Sequence, residues 1–311
     1  MWKKIIRSFL MSDAYKKLPK TLRACPLCGS HEHRVVCKND RNFLGLMTVC
    51  CQRCHFCFTN PYPDQQSLDK YYSDIYRQTV KSELVPDLHS PEARARSQRT
   101  SYYVDLLSLH SSTNLSYLDI GCGDGGLAEA VSQAYPHAAI HLVEKNQAFL
   151  RMAELRSGGR GFDSLEALFS HSIPFSTISL IHVLEHFVNP QVVLRQIHRL
   201  ANPATLIFID VPDAEAYSSL SDIHFSHPSH FSLQTLRSLL MICGFEPVAE
   251  YRHSPPIFPK SIWMVCRPKD SLVATINFQH DDYAQVFGRI DQPLKFLAWR
   301  SGLIRSSHRD E

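Results

Sequence analysis

Two sets of residues in this chain have the types and spacing to do chemistry. The first is sulfur: seven of the ten cysteines lie between Cys25 and Cys57. Cys25-Pro26-Leu27-Cys28-Gly29 is a C-x-x-C pair with a glycine at its turn. A second pair follows, as either Cys51 and Cys54 or Cys54 and Cys57. Clustered C-x-x-C pairs supply thiolates for a closed, tetrahedral, structural Zn2+ site, and they point to a reducing cytoplasm. A segment of ~40 residues has too little core to fold unaided, and zinc binding worth on the order of 10–16 kcal/mol offsets the deficit. Buried reduced thiols without metal are the alternative. Cys122, Cys243 and Cys266 read as small core residues.

The second set is Leu118-Asp119-Ile120-Gly121-Cys122-Gly123-Asp124-Gly125-Gly126, which follows a strand-like run and opens a helical one. Glycines there let the backbone approach a ligand at a helix N-terminus. Gly121, Gly123 and Gly126 also satisfy the dinucleotide pattern G-x-G-x-x-G. The acids argue against that ligand. A pyrophosphate would lie against both Asp119 and Asp124, and like charges about 5 Å apart repel by roughly 3 kcal/mol at an effective dielectric of about 20. S-adenosylmethionine has no phosphate and a cationic sulfonium, so it tolerates both. Glu144 ends the next apolar run, where a carboxylate can accept both ribose hydroxyls, a feature that phosphate-binding proteins share.

Histidine is the third signal. His224, His227 and His230 recur every third residue beside Pro228, and His186 follows another apolar run. A general base, a second metal site and ordinary hydrogen-bonded loop histidines all fit this pattern. Histidine titrates near neutrality without perturbation, which suits a base. His186, His227 and His230 are the catalytic candidates.

Positioning these groups falls to an alternation of strands and helices from about residue 115 to 268. The strand candidates are Tyr117–Ile120, Ile140–Val143, Ile178–Val183, Leu206–Val211, Pro247–Tyr251 and Ile262–Cys266, with a weaker one near Gly161–Phe162. Helical patterns cover Gly126–Ala134, Gln147–Arg156, Gln191–Leu200 and Leu233–Cys243, the last stopped by Gly244. Such alternation predicts an α/β fold, a mostly parallel sheet with helices on both faces. Ser90-Pro91 is a helix start, a cap followed by proline at the first helical position.

With those elements in order, residues 115–268 resemble the class I S-adenosylmethionine-dependent methyltransferases. Asp119 to Gly125 looks like their first motif, and Glu144 matches their ribose-binding acid. His182-Val183-Leu184-Glu185-His186 with Asn189-Pro190 looks like their fourth-strand segment. His230-Phe231-Ser232, Leu236 and Cys243-Gly244-Phe245 resemble their penultimate helix and turn. Ser176 departs from the pattern, since many members carry aspartate there. The resemblance implies a Rossmann-like sheet and S-adenosylmethionine bound by Asp119, Gly121, Gly123, Glu144 and Asp163, the last at the adenine amine. Cys51 to Pro61 resembles the ribbon ahead of many bacterial members, which selects Cys25, Cys28, Cys51 and Cys54 as the zinc ligands. His55-Phe56 stands where that ribbon has Gly-Leu. The implied organisation is a basic amphipathic segment (1–20), a zinc ribbon (21–62), a helical connector or lid carrying Tyr71, Tyr72 and Tyr76 (63–112), a methyltransferase domain (113–268) and a helical tail (269–311). The implied reaction is methyl transfer to a small-molecule acceptor, such as a nucleotide-linked sugar. An RNA or protein methyltransferase and a non-catalytic binding protein are the alternatives.

Composition narrows the partners. Hydrophobic residues make up 44% and charged residues 20%, an ordinary globular balance. The net charge of +3 is uneven: residues 1–23 hold seven bases and one acid, which leaves the remainder at −3. A mildly acidic body lacks the electrostatic footprint of a nucleic-acid binder. No apolar run has the ~18 residues of a membrane span, and no secretory signal is recognisable. Trp2, Ile5, Ile6, Phe9 and Leu10 face away from Lys3, Lys4 and Arg7, so residues 2–10 suit weak contact with the inner face of an anionic membrane, or docking on protein. Oligomeric state is not legible.

Overall fold

The computed structural model of the chain describes residues 15–64, 67–68, 91–110, 115–255, 260–269 and 282–300. The amphipathic stretch 2–10 and Tyr71, Tyr72 and Tyr76 lie outside the described residues. The cysteine-rich segment forms short strands: β1 (Lys20–Thr21), β2 (His33–Cys37), β3 (Thr48–Cys51), β4 (Cys57–Thr59) and β5 (Tyr62–Pro63). Helix α1 (Pro91–Ser108) begins at the expected proline. There follow β6 (Ser116–Ile120), α2 (Gly126–Ala134), β7 (Ala139–Val143), α3 (Gln147–Ser157), β8 (Arg160–Phe162), β9 (Thr177–Ile181), α4 (Pro190–Leu200) and β10 (Leu206–Pro212). The chain continues through β11 (Ser229–His230), α5 (Leu233–Ile242), β12 (Phe245–His253), β13 (Ser261–Pro268), α6 (Gln285–Ile290) and α7 (Pro293–Arg300).

The main sheet has seven strands in the order β12-β13-β10-β9-β6-β7-β8. The run from β10 to β8 is parallel; β13 is antiparallel to both of its neighbours, β10 and β12, so it alone runs against the other six strands. Alternating residues divide its two faces, as strand geometry requires. Tyr117 and Phe208 join Tyr103 and Leu107 of α1, Val131 of α2 and Leu150 of α3 in one core. Leu118, Ile207 and Ile209 face the other way, towards Leu194 and Ile197 of α4 and Leu236 and Leu240 of α5. That second core also contains Cys25, Leu27, Phe56 and Phe58, so the ribbon lies on the same face as α4 and α5.

A local device starts or ends each helix beside the site. Gly125 (φ 80°) precedes α2, the Asn146 side chain accepts the Ala148 and Phe149 N–H groups at the start of α3, and Pro190 opens α4. Ser232 and Thr235 cap α5 reciprocally, and Gly244 (φ 85°) stops it. The connections from β6 run to one side through β7 and β8, while β9 lies on the other side of β6. This reversal makes the carboxyl ends of β6 and β9 the switch point of the sheet, the place where open α/β sheets bind ligands.

The ribbon is not a separate bead. β11, which belongs to the chain after β10, pairs antiparallel with β4 and completes a four-stranded sheet of order β11-β4-β3-β2. The tail docks here as well: the Tyr283 hydroxyl donates to the His230 carbonyl at 2.7 Å and accepts the Cys57 N–H at 3.0 Å. Phe287 of α6 is buried with Cys37, Cys50, Cys57 and Tyr217. Among the described residues, no helix is long and apolar enough to cross a membrane.

Candidate functional site

The glycine loop leaves the end of β6 and folds back on β7, with the Gly121 and Cys122 N–H groups donating to the Val143 carbonyl at 2.8 and 3.2 Å. Gly121, Gly123 and Gly125 all have positive φ, at 70°, 56° and 80°. Their reasons differ. A Cβ on Gly121 would lie 2.6 Å from Val183 Cγ2, and one on Gly125 would lie 2.4 Å from Ala153 Cα of α3. A Cβ on Gly123 would meet nothing within 4 Å. Gly123 therefore borders open space above the loop, while Gly121 is glycine because the next strand's connection crowds it. The sequence expectation that both positions are kept bare for a ligand is corrected at Gly121.

Glu144, just past β7, closes over that loop. Its Oε1 accepts the Asn146 N–H at 2.7 Å, and its Oε2 accepts the Gly123 N–H at 3.3 Å. Asp119 is buried beneath, accepting the Ser179 hydroxyl at 2.8 Å. Burial pushes its pKa up to about 7; the Ser179 hydrogen bond opposes this and the Glu144 charge adds to it. The Asp124 carboxylate lies 3.4 Å from Arg156, which also pairs with Glu129 at 2.5 Å. The two loop acids are thus not two free charges, and the repulsion argument against a pyrophosphate is weaker than the sequence implies. Asp163 is exposed, just beyond β8, with the Ser164 hydroxyl donating to it at 3.0 Å.

Past β9 the chain turns sharply at His182, a non-glycine residue with φ 54°. A short helical turn, Leu184–His186, follows. Glu185 is 1% exposed, and neither of its carboxylate oxygens has a hydrogen-bond partner. Its Oε1 lies 3.5 Å from His182 Nδ1 and 3.9 Å from His227 Nε2. His186 is exposed, and its Nδ1 lies 2.6 Å from the Ser226 carbonyl. Its ring centroid is 4.7 Å from that of His227, which in turn lies 3.7 Å from that of His224. Burial, followed by neighbouring positive groups, holds His224 and His227 well below the ordinary histidine range. His230 stands apart from this group. It is fully buried in β11, with Nδ1 3.2 Å from the Tyr217 hydroxyl, and burial, with the Arg23 charge, pushes its pKa down to about 3. A buried, neutral ring inside a sheet cannot take a proton from an acceptor, which corrects the expectation that His230 joins His186 and His227.

The cysteine cluster is compact. Cys25 and Cys54 sulfurs are 3.5 Å apart, as are those of Cys28 and Cys51, and all four lie within 4.8 Å of one another. A zinc–sulfur distance of about 2.3 Å in a tetrahedron calls for sulfur spacings of about 3.8 Å. Two equivalent knuckles build the cluster: the Gly29 N–H donates to the Cys25 carbonyl and the His55 N–H to the Cys51 carbonyl, both at 2.9 Å. His55 takes φ 57°, beside 75° at Gly29, so a histidine adopts the left-handed turn in place of glycine. Cys50 and Cys57 belong to the other core, beside Tyr283.

A model of the methyltransferase-domain family matches residues 93–250. The chain belongs to this family. The match begins inside α1 and ends inside β12, and it leaves the ribbon and tail outside. A ubiquinone biosynthesis O-methyltransferase from Pseudomonas aeruginosa is 33% identical over 97 residues, which are 30% of this chain and 42% of that protein. An (S)-coclaurine N-methyltransferase from Thalictrum flavum is 28% identical over 101 residues, 30% of this chain and 28% of that protein. The chain thus spans less than half the length of these curated relatives. The crystal structure of magnesium protoporphyrin IX methyltransferase from Synechocystis with bound SAH is 14% identical at TM-score 0.50, covering 66% of this chain and 100% of that one. At that identity the likeness concerns the fold, and it agrees with the class I resemblance read from the sequence.

Two functional candidates escaped the sequence reading, one inside this methyltransferase domain and one in the cysteine-rich segment ahead of it. Glu185 is one; the run His182-x-x-Glu185-His186 at a strand end, with histidines downstream, carried the signal. Arg23 is the other. Its guanidinium is buried and donates to the carbonyls of Thr59, Pro228 and Val188, at 2.9, 3.1 and 2.5 Å, tying the ribbon to the segments that carry His186 and His227. Desolvation lowers its pKa to about 10. No spacing rule marks such a residue, because its partners are backbone carbonyls up to 205 positions away.

Proposed function

We propose that this chain transfers a methyl group from S-adenosylmethionine to a small-molecule acceptor. The observation that carries the reading is the cradle formed by Glu144 and the bare, open Gly123 at the switch point of the sheet. In this reading Glu144 accepts the ribose hydroxyls with its remaining lone pairs, and Asp163 lies on the adenine side. Gly121 and Asp119 hold the loop that receives the methionine end. When bound, the cofactor supplies an electrophilic methyl group. The chain's own residues then bind, orient and exclude water. With no ion bound to them, His186 is the accessible base candidate, and His227, which burial holds well below the ordinary histidine range, is the weaker one. Family members named above act on small metabolites, which favours an acceptor of that class, and a nucleotide-linked sugar is our specific suggestion. We further propose that Cys25, Cys28, Cys51 and Cys54 hold one structural zinc, whose four thiolates leave no open coordination position.

Calorimetric titration tests this reading. S-adenosylmethionine should bind with a stoichiometry of about one, and NAD should bind far more weakly. A screen of nucleotide sugars should then show acceptor-dependent release of S-adenosylhomocysteine. Tight NAD binding with no detectable S-adenosylmethionine binding would overturn the assignment.

A further inference from the structure

Among the described residues, two groups of side chains bring ligand atoms within reach of one ion. One is the cysteine cluster. The other is Glu185, His186 and His227, whose ligand atoms all lie within 4.8 Å of one another. We propose that these three residues form a second metal site, for a divalent transition-metal ion bound by one carboxylate and two imidazoles.

Three observations support it independently of the methyl-transfer reading. Glu185 is a buried carboxylate with neither oxygen hydrogen-bonded and with His182 Nδ1, at 3.5 Å, and His227 Nε2, at 3.9 Å, facing it, an arrangement that is costly unless a cation or donor completes it. His186 is set up as a ligand by its second nitrogen. Nδ1 faces the Ser226 carbonyl at 2.6 Å and so carries the proton, which leaves the Nε2 lone pair free; ligating histidines are commonly oriented this way. His227 Nε2 already lies 3.9 Å from Glu185 Oε1. Metal–ligand bonds of about 2.0–2.2 Å call for ligand spacings of about 3–3.5 Å, so small side-chain rotations would close the site. Two imidazole nitrogens with one oxygen favour Zn2+, Co2+, Fe2+ or Mn2+ over Ca2+ or Mg2+, which prefer all-oxygen shells.

The location gives the site a use. Val183, two residues before Glu185, abuts Gly121 of the glycine loop. His186 is exposed, so coordination positions not taken by protein are open to solvent on its side. A bound ion there would present its free positions to oxygen atoms of a ligand.

The test uses the full-length protein with its cysteine cluster loaded with zinc. Co2+ is added and visible absorption is followed, because nitrogen–oxygen and thiolate sites give different spectra. The expected result is a weak ligand-field band that saturates at about one equivalent without a thiolate-to-cobalt charge-transfer band. Glu185→Gln and His227→Gln should each weaken this binding at least about tenfold. His186→Ala, on an exposed residue, provides the same test should the buried variants fail to fold. Zinc content and S-adenosylmethionine affinity are measured on every variant, so loss of the methyl-transfer reading would register separately. Absence of the band, a thiolate band alone, or a band retained in all three variants would overturn the proposal.

Discussion

Replacing Glu144 with glutamine isolates the group on which cofactor binding is proposed to rest. In the wild type both oxygens are already engaged by backbone N–H groups, from Asn146 and Gly123. The amide keeps one acceptor, and the shorter bond from Asn146 claims it. The NH2 group then faces the Gly123 N–H, donor against donor, and that bond is lost, while Gly121 and Cys122 still hold the loop to the Val143 carbonyl. That loss affects free and bound protein alike and largely cancels in the affinity. What does not cancel is the ribose, which loses one charged acceptor. A hydrogen bond to a charged group contributes about 1.5–3 kcal/mol, so the affinity for S-adenosylmethionine should fall roughly 10- to 150-fold. Isothermal titration measures this, and circular dichroism verifies that the fold survives. A folded Glu144→Gln variant with wild-type affinity would refute the assignment of Glu144 to the cofactor, whatever the enzyme's activity.

Other perturbations follow from the same contacts. Asp119 has a folded pKa raised to about 7 from 3.8, so its stabilising contribution is complete below 3.8 and lost as pH rises through about 7. Asp119→Asn should therefore gain stability relative to wild type across that window and level off above it; denaturant melts at several pH values check the sign, and an unchanged difference would contradict it. Cys54→Ser should abolish the proposed zinc binding and unfold that segment. Cys57→Ser should keep the metal and cost about 1–3 kcal/mol for a buried hydroxyl, as read by elemental analysis and thermal melts; the opposite pattern would mean the ligands are misassigned. Arg23→Ala removes the guanidinium donor from the carbonyls of Thr59, Val188 and Pro228, of which Pro228 keeps the Thr59 N–H. It should cost about 3 kcal/mol or more and expose the ribbon to limited proteolysis, and a variant as protease-resistant as wild type would show that the shared core alone holds the two parts together.

Much of this protein was legible in its sequence because the relevant signals are local. The helix after the glycine loop has the bounds Gly126–Ala134 expected from its pattern, and the strand candidates fall on β6 to β10, β12 and β13. Apolar periodicity and glycine at a strand–helix turn are set by neighbouring residues, so they survive without tertiary information. The register of the cysteine pairs was legible through resemblance, although the left-handed turn at His55 is visible only in the backbone.

Other features were decided by tertiary structure because they depend on residues distant in sequence. The pairing of β11 with β4 joins positions about 170 apart and makes ribbon and domain one body. It also buries His230, while His227, three residues earlier, remains beside Glu185. Asp119 and Asp124 are identical in type, yet burial drives one towards neutrality and Arg156 pairs the other. Sequence specifies which groups are present and which turns they can make. Desolvation and long-range pairing decide which of them are charged, reachable and adjacent, since each depends on what the rest of the chain packs against them.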